Sequence, residues 1–298
     1  MNERLENILY SPIYLFVWLH SLLPFWALYI LSDILYFPLY YIIRYRRKLV
    51  YESMRNSFPD KSEKEITRMV KAFYHHFCDY IVETIKLLHI SDAETKRRFV
   101  IENIEVLQRA LDERRQVILM LGHYGNWEYI PSIALWLNAP DGAVMGEVYR
   151  PLKNRWFDKF FLKLRSRYNT VNIPKNDIFR EYIKYRRDKR PAIVGFMADQ
   201  TPSPANIYYW TNFLNQDTPM LTGIERIAQK LDCSLVYADV IKLKRGHYKI
   251  VFEEITQTPK EYKEFEITEI YTRLMEKTIL RAPEFWLWTH KRWKHKRT

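Results

Sequence analysis

The sequence predicts an α/β fold in which a central, mostly parallel sheet is flanked by helices, with a hydrophobic helical membrane anchor ahead of it. From about residue 100 onward, short apolar runs alternate with amphipathic helical stretches, which is the pattern of a parallel α/β layer structure. Before that region, residues 10–43 are almost continuously apolar and long enough to meet a bilayer. We therefore divide the chain into an anchor, residues 1–48, and one domain, residues 49–298.

The anchor contains no Asp, Glu, Lys or Arg between Glu6 and Asp33, and residues 34–43 are again uncharged before the basic block at 44–48. Its many tyrosines and tryptophans are typical of a membrane–water interface. A signal peptide is disfavoured because its n-region has Glu3 and Glu6 beside Arg4 and no small-residue cleavage site is evident. We expect one tilted span or a re-entrant helical pair, with the basic block in the cytoplasm or against anionic headgroups. The alternative is a helical hairpin that covers the core or makes a dimer contact.

The domain begins with a helical lead-in at residues 62–90, where Ser62 and Glu65 fit a capping box. The α/β core then covers residues 100–298. Its predicted strands are residues 117–121, 142–148, 170–173, 192–198, 234–243 and 248–254. Its predicted helices are residues 103–114, 127–138, 153–167, 177–187, 222–231 and 264–280. The last two strands should form a hairpin around Lys244–His247.

Composition narrows the classes of function. The net charge of +12 implies an acidic partner, which could be nucleic acid, anionic lipid or an acidic carrier protein. Only 7 glycines are present, which argues against a dinucleotide-binding fold. Cys78 and Cys233 offer neither a metal-ligand spacing nor a disulfide framework. His75 and His76 lack accompanying ligands, so we expect no metal site.

A histidine and a carboxylate follow the first predicted strand of the core. A turn with glycines at 122 and 125 comes after the strand, and ligands bind beyond the carboxyl ends of parallel strands. His123 could act there as a general base, with Glu128 fixing its tautomer and Asn126 capping the next helix. The alternative is a loop histidine with a structural hydrogen bond and a glutamate that merely favours a helix N-terminus.

Two other predicted strands also end in polar residues. Arg150 follows the second strand, and Asp199 and Gln200 follow the fourth. Because these strands are expected to be parallel, their carboxyl ends should converge with His123 at one edge of the sheet. The alternative role for Arg150 is an ion pair with Asp199 or Glu147.

Five segments together carry a resemblance to a known family. They are Gly-His-Tyr-Gly-Asn-Trp-Glu (122–128), Tyr-Arg-Pro (149–151), Ala-Asp-Gln (198–200), the segment 212–223, and Pro-Glu-x-Trp-x-Trp-x-His-Lys-Arg-Trp (283–293). In this combination they resemble the bacterial lipid A secondary acyltransferases, the lauroyl and myristoyl transferase family. The resemblance covers nearly the whole chain, including its hydrophobic N-terminus.

The resemblance implies the glycerolipid acyltransferase fold in an inner-membrane protein whose catalytic domain faces the cytoplasm. It implies transfer of a fatty acyl chain from acyl carrier protein, or from a coenzyme A thioester, to a hydroxyl of a lipid A precursor. His123 and Glu128 map onto the family's His-x4-Asp/Glu pair, Arg150 onto its next motif arginine, and Asp199 and Gln200 onto its Asp-Gln motif. No metal or resident cofactor is expected, and the thioester is a co-substrate.

Attack by the acceptor hydroxyl should be direct, because neither cysteine lies in a motif and no Gly-x-Ser-x-Gly elbow is present. Backbone amides at residues 124–126 or at the following helix N-terminus are the expected oxyanion donors. We count Asn126, Arg150, Asp199 and Gln200 as substrate-binding candidates, with Arg150 on a phosphate of the acceptor or on the donor's phosphopantetheine.

Two alternative functions stay open at this point. The acceptor could instead be a lysophospholipid or an amino-acid-linked lipid, particularly because the segment 212–216 lacks the Phe-Phe-Gly common in the family. A membrane-tethered nucleic-acid-binding protein, using the basic and aromatic tail 283–297, is a distant alternative. It is disfavoured because the sequence contains no helix-turn-helix, zinc finger or aromatic RNA-binding motif.

Overall fold

The computed structural model describes the backbone of residues 3–297 and the side chains of residues 12–297. It begins with helices α1 (Glu3–Leu22) and α2 (Phe25–Phe37), which are separated at Pro24. Pro24 has an extended backbone, with φ −66° and ψ 155°, at the N-cap of α2, so the apolar segment becomes a helical pair rather than one straight rod. Residues 1–2 of the predicted anchor and Thr298 of the domain lie outside the described residues.

The second anchor helix has two different faces. Helix α2 and the π-helical turn after it form the stretch Phe25–Ile42, which by length and composition alone could cross a bilayer, with a mean hydropathy of 1.3 over 18 residues. Phe25, Leu28 and Ser32 are buried on one side. Ile34 on the other side is 63% exposed. The helix therefore covers part of the domain and also presents an apolar surface outward.

Helices α3 (Arg47–Ser57) and α4 (Glu63–Lys86) form the lead-in, followed by α5 (Asp92–Arg98). The predicted capping box is confirmed, since the Ser62 N–H donates to Glu65 Oε2 at 2.8 Å and the Glu65 N–H donates to Ser62 Oγ at 3.4 Å. Helix α5 was not predicted because its seven residues contain only one apolar side chain, and hydrophobic periodicity gives no signal there.

A seven-stranded sheet forms the centre of the domain, in the order β1-β9-β8-β2-β5-β3-β4. All neighbouring strands are parallel except β8 and β9, which form the predicted antiparallel hairpin. The mostly parallel sheet flanked by helices is therefore confirmed. The strands are β1 (Phe99–Glu102), β2 (Gln116–Leu121), β3 (Val144–Tyr149), β4 (Val171–Pro174), β5 (Ala192–Met197), β8 (Ser234–Lys244) and β9 (His247–Thr256).

The helices around the sheet lie close to their predicted positions, with one exception. They are α6 (Glu105–Asp112), α7 (Arg155–Arg165), α8 (Ile178–Arg187), α9 (Gly223–Leu231) and α10 (Glu266–Arg281). The helix expected at 127–138 is a 3₁₀ segment, Trp127–Trp136, with Pro131 inside it. An additional small hairpin, β6 (Trp210–Phe213) and β7 (Gln216–Pro219), was not predicted.

Candidate active site

The register between two central strands creates the site. In the parallel pair β2 and β5, Leu121 is paired with Met197 at the carboxyl ends of the strands. His123 and Asp199 each lie two positions beyond these residues, so the two loops leave the sheet side by side. The convergence expected for these strand ends is what the structure shows.

His123 and Asp199 make a two-point contact. The ring atom Nδ1 of His123 lies 2.7 Å from Asp199 Oδ1, and the His123 backbone N–H donates to Asp199 Oδ2 at 2.9 Å. Asp199 is 2% exposed. Burial would raise the pKa of this carboxyl, but the charge of His123 and the hydrogen bonds it receives lower the pKa to about 2. An ionised carboxylate of this kind orients the imidazole and stabilises the imidazolium.

Glu128 is not the partner of His123, which corrects the pairing expected from the sequence. Its carboxylate accepts hydrogen bonds from the Arg165 guanidinium at 2.9 and 3.0 Å and from the Trp127 indole at 3.1 Å. Glu128 lies in the first turn of the 3₁₀ segment, where its carboxylate meets helix α7 instead of the histidine ring. Glu128, five residues after His123, therefore belongs to a structural ion pair with Arg165.

The same arginine also holds Glu147. Arg165 Nε lies 3.1 Å from Glu147 Oε1, and both carboxylates are buried. Burial raises the pKa of Glu147 to about 7, although the arginine charge opposes this rise. Glu128, Glu147 and Arg165 thus form a buried triad with more negative than positive groups.

Gln200 lies at the other ring nitrogen of His123. Because Nδ1 faces a carboxylate acceptor, the hydrogen-bond network assigns the ring proton to Nδ1 and leaves a lone pair on Nε2. Gln200 Nε2 lies 3.2 Å from that atom and donates to it. The ring atom that would take a proton from a hydroxyl is therefore Nε2, next to a side-chain amide.

Two glycines are needed for this loop. A Cβ on Gly122 would lie 2.4 Å from the Met275 side chain and 3.3 Å from Asp199 Oδ2. Gly125 has a φ of +62° and would bring a Cβ to 2.9 Å from Val240. Both observations agree with the sharp turn predicted from the glycines.

Asn126 caps the 3₁₀ segment, as predicted, but does not face a substrate. It is fully buried, its Oδ1 accepts from the Glu128 N–H at 3.3 Å, and its Nδ2 donates to Glu83 at 2.9 Å. Its two polar side-chain atoms are thus both engaged by the protein. The expectation that Asn126 binds substrate is replaced by a role in holding the loop.

Helix α4 supports the loop through His76, for which the sequence gives no sign of a role at the site. His76 is buried, and its Nε2 donates to the Gly125 carbonyl at 3.1 Å while its Nδ1 accepts from Lys242 at 3.1 Å. Burial and the Lys242 charge lower the pKa of His76 well below its usual value, so the ring is neutral. Among the side chains of residues 12–297, no group of three or more His, Cys, Asp or Glu could hold a metal ion.

Arg150 is exposed at the end of β3. It makes no hydrogen bond or ion pair with any residue of the described chain, and Glu147, one of its alternative partners, is bound to Arg165 instead. Strands β3 and β2 are separated by β5, which places their ends about 10 Å apart. Arg150 therefore lies at the same edge of the sheet as the histidine loop, two strands away, as an exposed cation open to a ligand.

Two of the expected oxyanion donors are already used. The Tyr124 N–H donates to the Gly122 carbonyl at 2.8 Å, and the Gly125 N–H donates to the Phe285 carbonyl at 2.9 Å. The Gln200 side-chain amide lies next to His123 Nε2 and is a candidate donor in their place.

The C-terminal segment, residues 282–293, completes the site, and we call it the C-terminal strap. Its Trp286 forms an antiparallel bridge with Tyr124, and the Trp286 indole donates to Asp199 at 2.8 Å. Trp288 and Arg292 are each 1% exposed. From the sequence, the tail containing these tryptophans is a family motif and a possible nucleic-acid-binding segment, and only its position in the fold connects it to the loops of His123 and Asp199.

Comparison with known proteins identifies the family of the chain. The family described as bacterial lipid A biosynthesis acyltransferases matches residues 5–295 of the chain. A lipid A biosynthesis palmitoleoyltransferase of Escherichia coli (strain K12) is 22% identical over 260 residues, which is 85% of this chain and 80% of that protein. A lipid A biosynthesis acyltransferase of Shigella flexneri matches with the same identity and coverage. The match includes the N-terminal helices, the loops of His123 and Asp199 and the strap, and the chain therefore belongs to the bacterial lipid A biosynthesis acyltransferase family.

Proposed function

We propose that the protein transfers a fatty acyl chain from an acyl-carrier-protein thioester to a hydroxyl of a lipid A precursor. The observation that carries this proposal is the contact of His123 with Asp199 at the carboxyl end of the central sheet, in a chain of this family. A neutral imidazole with a free lone pair, backed by a buried carboxylate, is suited to remove the proton of an alcohol.

The reaction proceeds by direct attack. The acceptor hydroxyl takes the place of the Gln200 amide at His123 Nε2 and gives up its proton as its oxygen bonds to the thioester carbonyl carbon. The tetrahedral intermediate collapses as the carbon–sulfur bond breaks, and the thiol leaves with the proton that His123 holds. Asp199 stabilises the imidazolium in between. The products are an ester and a free thiol, and the histidine is neutral again.

A covalent acyl-enzyme is not part of this scheme. Both cysteines are buried, and burial raises the pKa of each thiol to about 12. Since the thiolate is the nucleophilic form, neither cysteine is suited to attack a thioester. The acceptor hydroxyl is left as the nucleophile.

The charges suit acidic substrates. Acyl carrier protein and the phosphates of lipid A are both anionic, and the chain carries a net charge of +12. Arg150 is an exposed cation at the carboxyl end of β3, and we assign it to a phosphate of the acceptor or to the donor's phosphopantetheine. The tail tryptophans on which a nucleic-acid function would depend are largely buried, which removes support for that alternative.

The proposed location is the cytoplasmic face of the bacterial inner membrane, with anionic lipids against the anchor. We expect the double variant Ile30→Glu/Ile34→Glu to bind vesicles of phosphatidylcholine and phosphatidylglycerol about 10-fold or more weakly than the wild type in a flotation assay. Both side chains lie on the outward face of α2, at 52% and 63% exposure. Leu280→Glu on α10, exposed at 52%, is the matched control and should float normally. Equal flotation of the wild type, the double variant and Leu280→Glu would contradict the proposed membrane binding through α2.

The activity itself is tested by transfer of a labelled acyl chain. Detergent-solubilised wild type and His123→Ala are incubated with acyl carrier protein carrying the label and with a panel of lipid acceptors. We expect transfer to a lipid A precursor by the wild type and a loss of about 10²–10⁴-fold in the variant. Coenzyme A thioesters are assayed in parallel to identify the donor.

Each other outcome has a defined meaning. Transfer to a lysophospholipid or an amino-acid-linked lipid alone would keep the chemistry and replace the acceptor. Transfer from coenzyme A alone would replace the donor. The absence of His123-dependent transfer to any acceptor from either donor would refute the proposed function.

A further inference from the structure

The C-terminal strap binds both catalytic loops at once. On the histidine loop, the Gly125 N–H donates to the Phe285 carbonyl at 2.9 Å, and the Leu287 N–H donates to the His123 carbonyl at 3.0 Å. On the aspartate loop, the Thr201 N–H donates to His290 Nε2 at 3.2 Å. The strap therefore links the two loops that leave β2 and β5 side by side.

One strap side chain reaches the catalytic carboxylate itself. The Trp286 indole N–H donates to Asp199 Oδ2 at 2.8 Å, on the oxygen that also accepts the His123 backbone N–H. Asp199 Oδ1 is left for the histidine ring. Trp286 is 3% exposed and packs edge-on against Phe213 and Trp288, with ring centroids 5.9 and 4.8 Å away. Its indole can hardly leave the carboxylate without repacking the strap.

We propose that Trp286 is a positioning residue for acyl transfer, which holds the Asp199 carboxylate in plane with the His123 ring and shares its negative charge. The inference rests on the proposed function, because it concerns the same base. Without the indole N–H, the Asp199 carboxylate loses one of its hydrogen-bond donors and can rotate more freely. The negative charge on the oxygen that faces the imidazole then increases, and the dyad binds its proton more tightly.

The other charged and titratable side chains around Asp199 do not donate a hydrogen bond to its carboxylate. His290 is on the strap, and burial lowers its pKa to about 4, so that it is neutral at the pH of the assay. Arg292, also on the strap, donates to the Pro219 carbonyl and the Met220 sulfur rather than to Asp199. Tyr271, on α10, donates to the Leu121 carbonyl. Among the side chains of residues 12–297, only His123 and Trp286 therefore have a hydrogen bond to this carboxylate.

The test is Trp286→Phe, with Trp288→Phe as the matched control. Trp288 is an equally buried strap tryptophan, but its indole donates to the Pro283 carbonyl at 2.6 Å, away from the dyad. We expect Trp286→Phe to lower kcat about 10- to 100-fold, the effect of one hydrogen bond to a charged group, with KM changed less than about threefold. The acid limb of its pH–rate profile should move upward by about one pH unit, whereas that of Trp288→Phe should stay in place.

A double-mutant cycle separates positioning from packing. If Trp286 acts through the carboxylate, Trp286→Phe should have little further effect on kcat in an Asp199→Asn background. Equal losses in both tryptophan variants, with an unmoved pH profile, would overturn the inference and reduce Trp286 to a packing residue. Should Trp286→Phe fail to fold, 3-benzothienylalanine at position 286 removes the N–H while keeping the shape of the indole, and the same outcomes apply.

The two proposals fail in different ways. A wild type that transfers no acyl group would refute the proposed function before any tryptophan variant is compared. In that case the inference can still be tested by NMR of histidine-labelled protein, which compares the titration of His123 in the wild type and in Trp286→Phe. An unchanged titration in Trp286→Phe would overturn it, and a titration moved to higher pH would support it.

Discussion

Replacing Asp199 by asparagine is expected to lower the rate of acyl transfer by about 10³–10⁴-fold while leaving the fold intact. The asparagine side chain has nearly the same shape, but it places a neutral amide where the carboxylate now accepts from His123 Nδ1. An amide N–H at that position favours the wrong tautomer of the ring, with the proton on Nε2. No charge remains to stabilise the imidazolium during the transfer.

The informative comparison is with Glu128→Gln. If the carboxylate five residues after the histidine were its partner, that substitution would abolish transfer and Asp199→Asn would be mild. The structure leads to the opposite expectation, since Glu128 is bound to Arg165 and Asp199 to His123. We expect Glu128→Gln to keep kcat within about tenfold of the wild type and to lower the melting temperature instead. Single-turnover rates with a saturating acyl donor, measured beside thermal unfolding curves, distinguish the two patterns.

A carboxylate outside the site provides the control for Asp199→Asn. Asp239 on β8 pairs with Arg281 at 2.7 Å and is partly exposed, so Asp239→Asn should leave transfer nearly unchanged. A wild-type rate in Asp199→Asn would show that the dyad geometry is not used in catalysis. If Glu128→Gln lowered the transfer rate as much as Asp199→Asn, Glu128 would have the catalytic role expected from its spacing to His123.

The difference between these two carboxylates shows what could be read from the sequence. Strand ends, turn glycines and the histidine are local features, and they were placed correctly because periodicity and turn chemistry are local. The partner of His123 is 76 residues away, and it is selected by the parallel register of β2 with β5. Register depends on how two whole strands pair, which a single sequence does not display. The nearest acidic residue in sequence was therefore assigned in its place.

The elements that were missed have related causes. Strand β1 has only four residues, Phe99–Glu102, and becomes a strand by pairing with β9 at the edge of the sheet. The hairpin of β6 and β7 turns at Leu214 and Asn215, both with positive φ, and no glycine marks that turn. The strap has little regular structure of its own, and its backbone groups bond to loops far away in the sequence. Long-range contacts define each of these elements.

Arg165→Met is expected to give the largest loss of stability of any single substitution considered for this chain, about 3–5 kcal/mol. The guanidinium holds Glu128 through two hydrogen bonds and lies 3.1 Å from Glu147. Removing it leaves two buried carboxylates beside each other without a cation. Exposed ion pairs contribute far less, because water solvates their charges when the pair is broken.

The loss of stability in Arg165→Met should depend on pH, and the protonation of Glu147 determines the direction of this dependence. Burial raises the pKa of this carboxyl from 4.5 to about 7, so the folded state binds its proton more tightly than the unfolded chain. The corresponding stability is present at low pH and is lost as the pH rises through about 7. Without Arg165, the cation that lowers this pKa is gone, and ionising Glu147 costs more. The variant should therefore be destabilised more at pH 8 than at pH 5.5.

Chemical denaturation at both pH values measures the effect, and the chain contains a matched control. Arg273 on α10 also lies between two glutamates, Glu269 and Glu276, but it is 42% exposed. Arg273→Met should cost no more than about 1 kcal/mol, with little dependence on pH. Adding Glu128→Gln and Glu147→Gln to Arg165→Met should recover much of the stability, because the uncompensated charges are then removed. If the triple variant were no more stable than Arg165→Met, the loss would arise from the packing of the arginine side chain against Phe161 rather than from the buried charges.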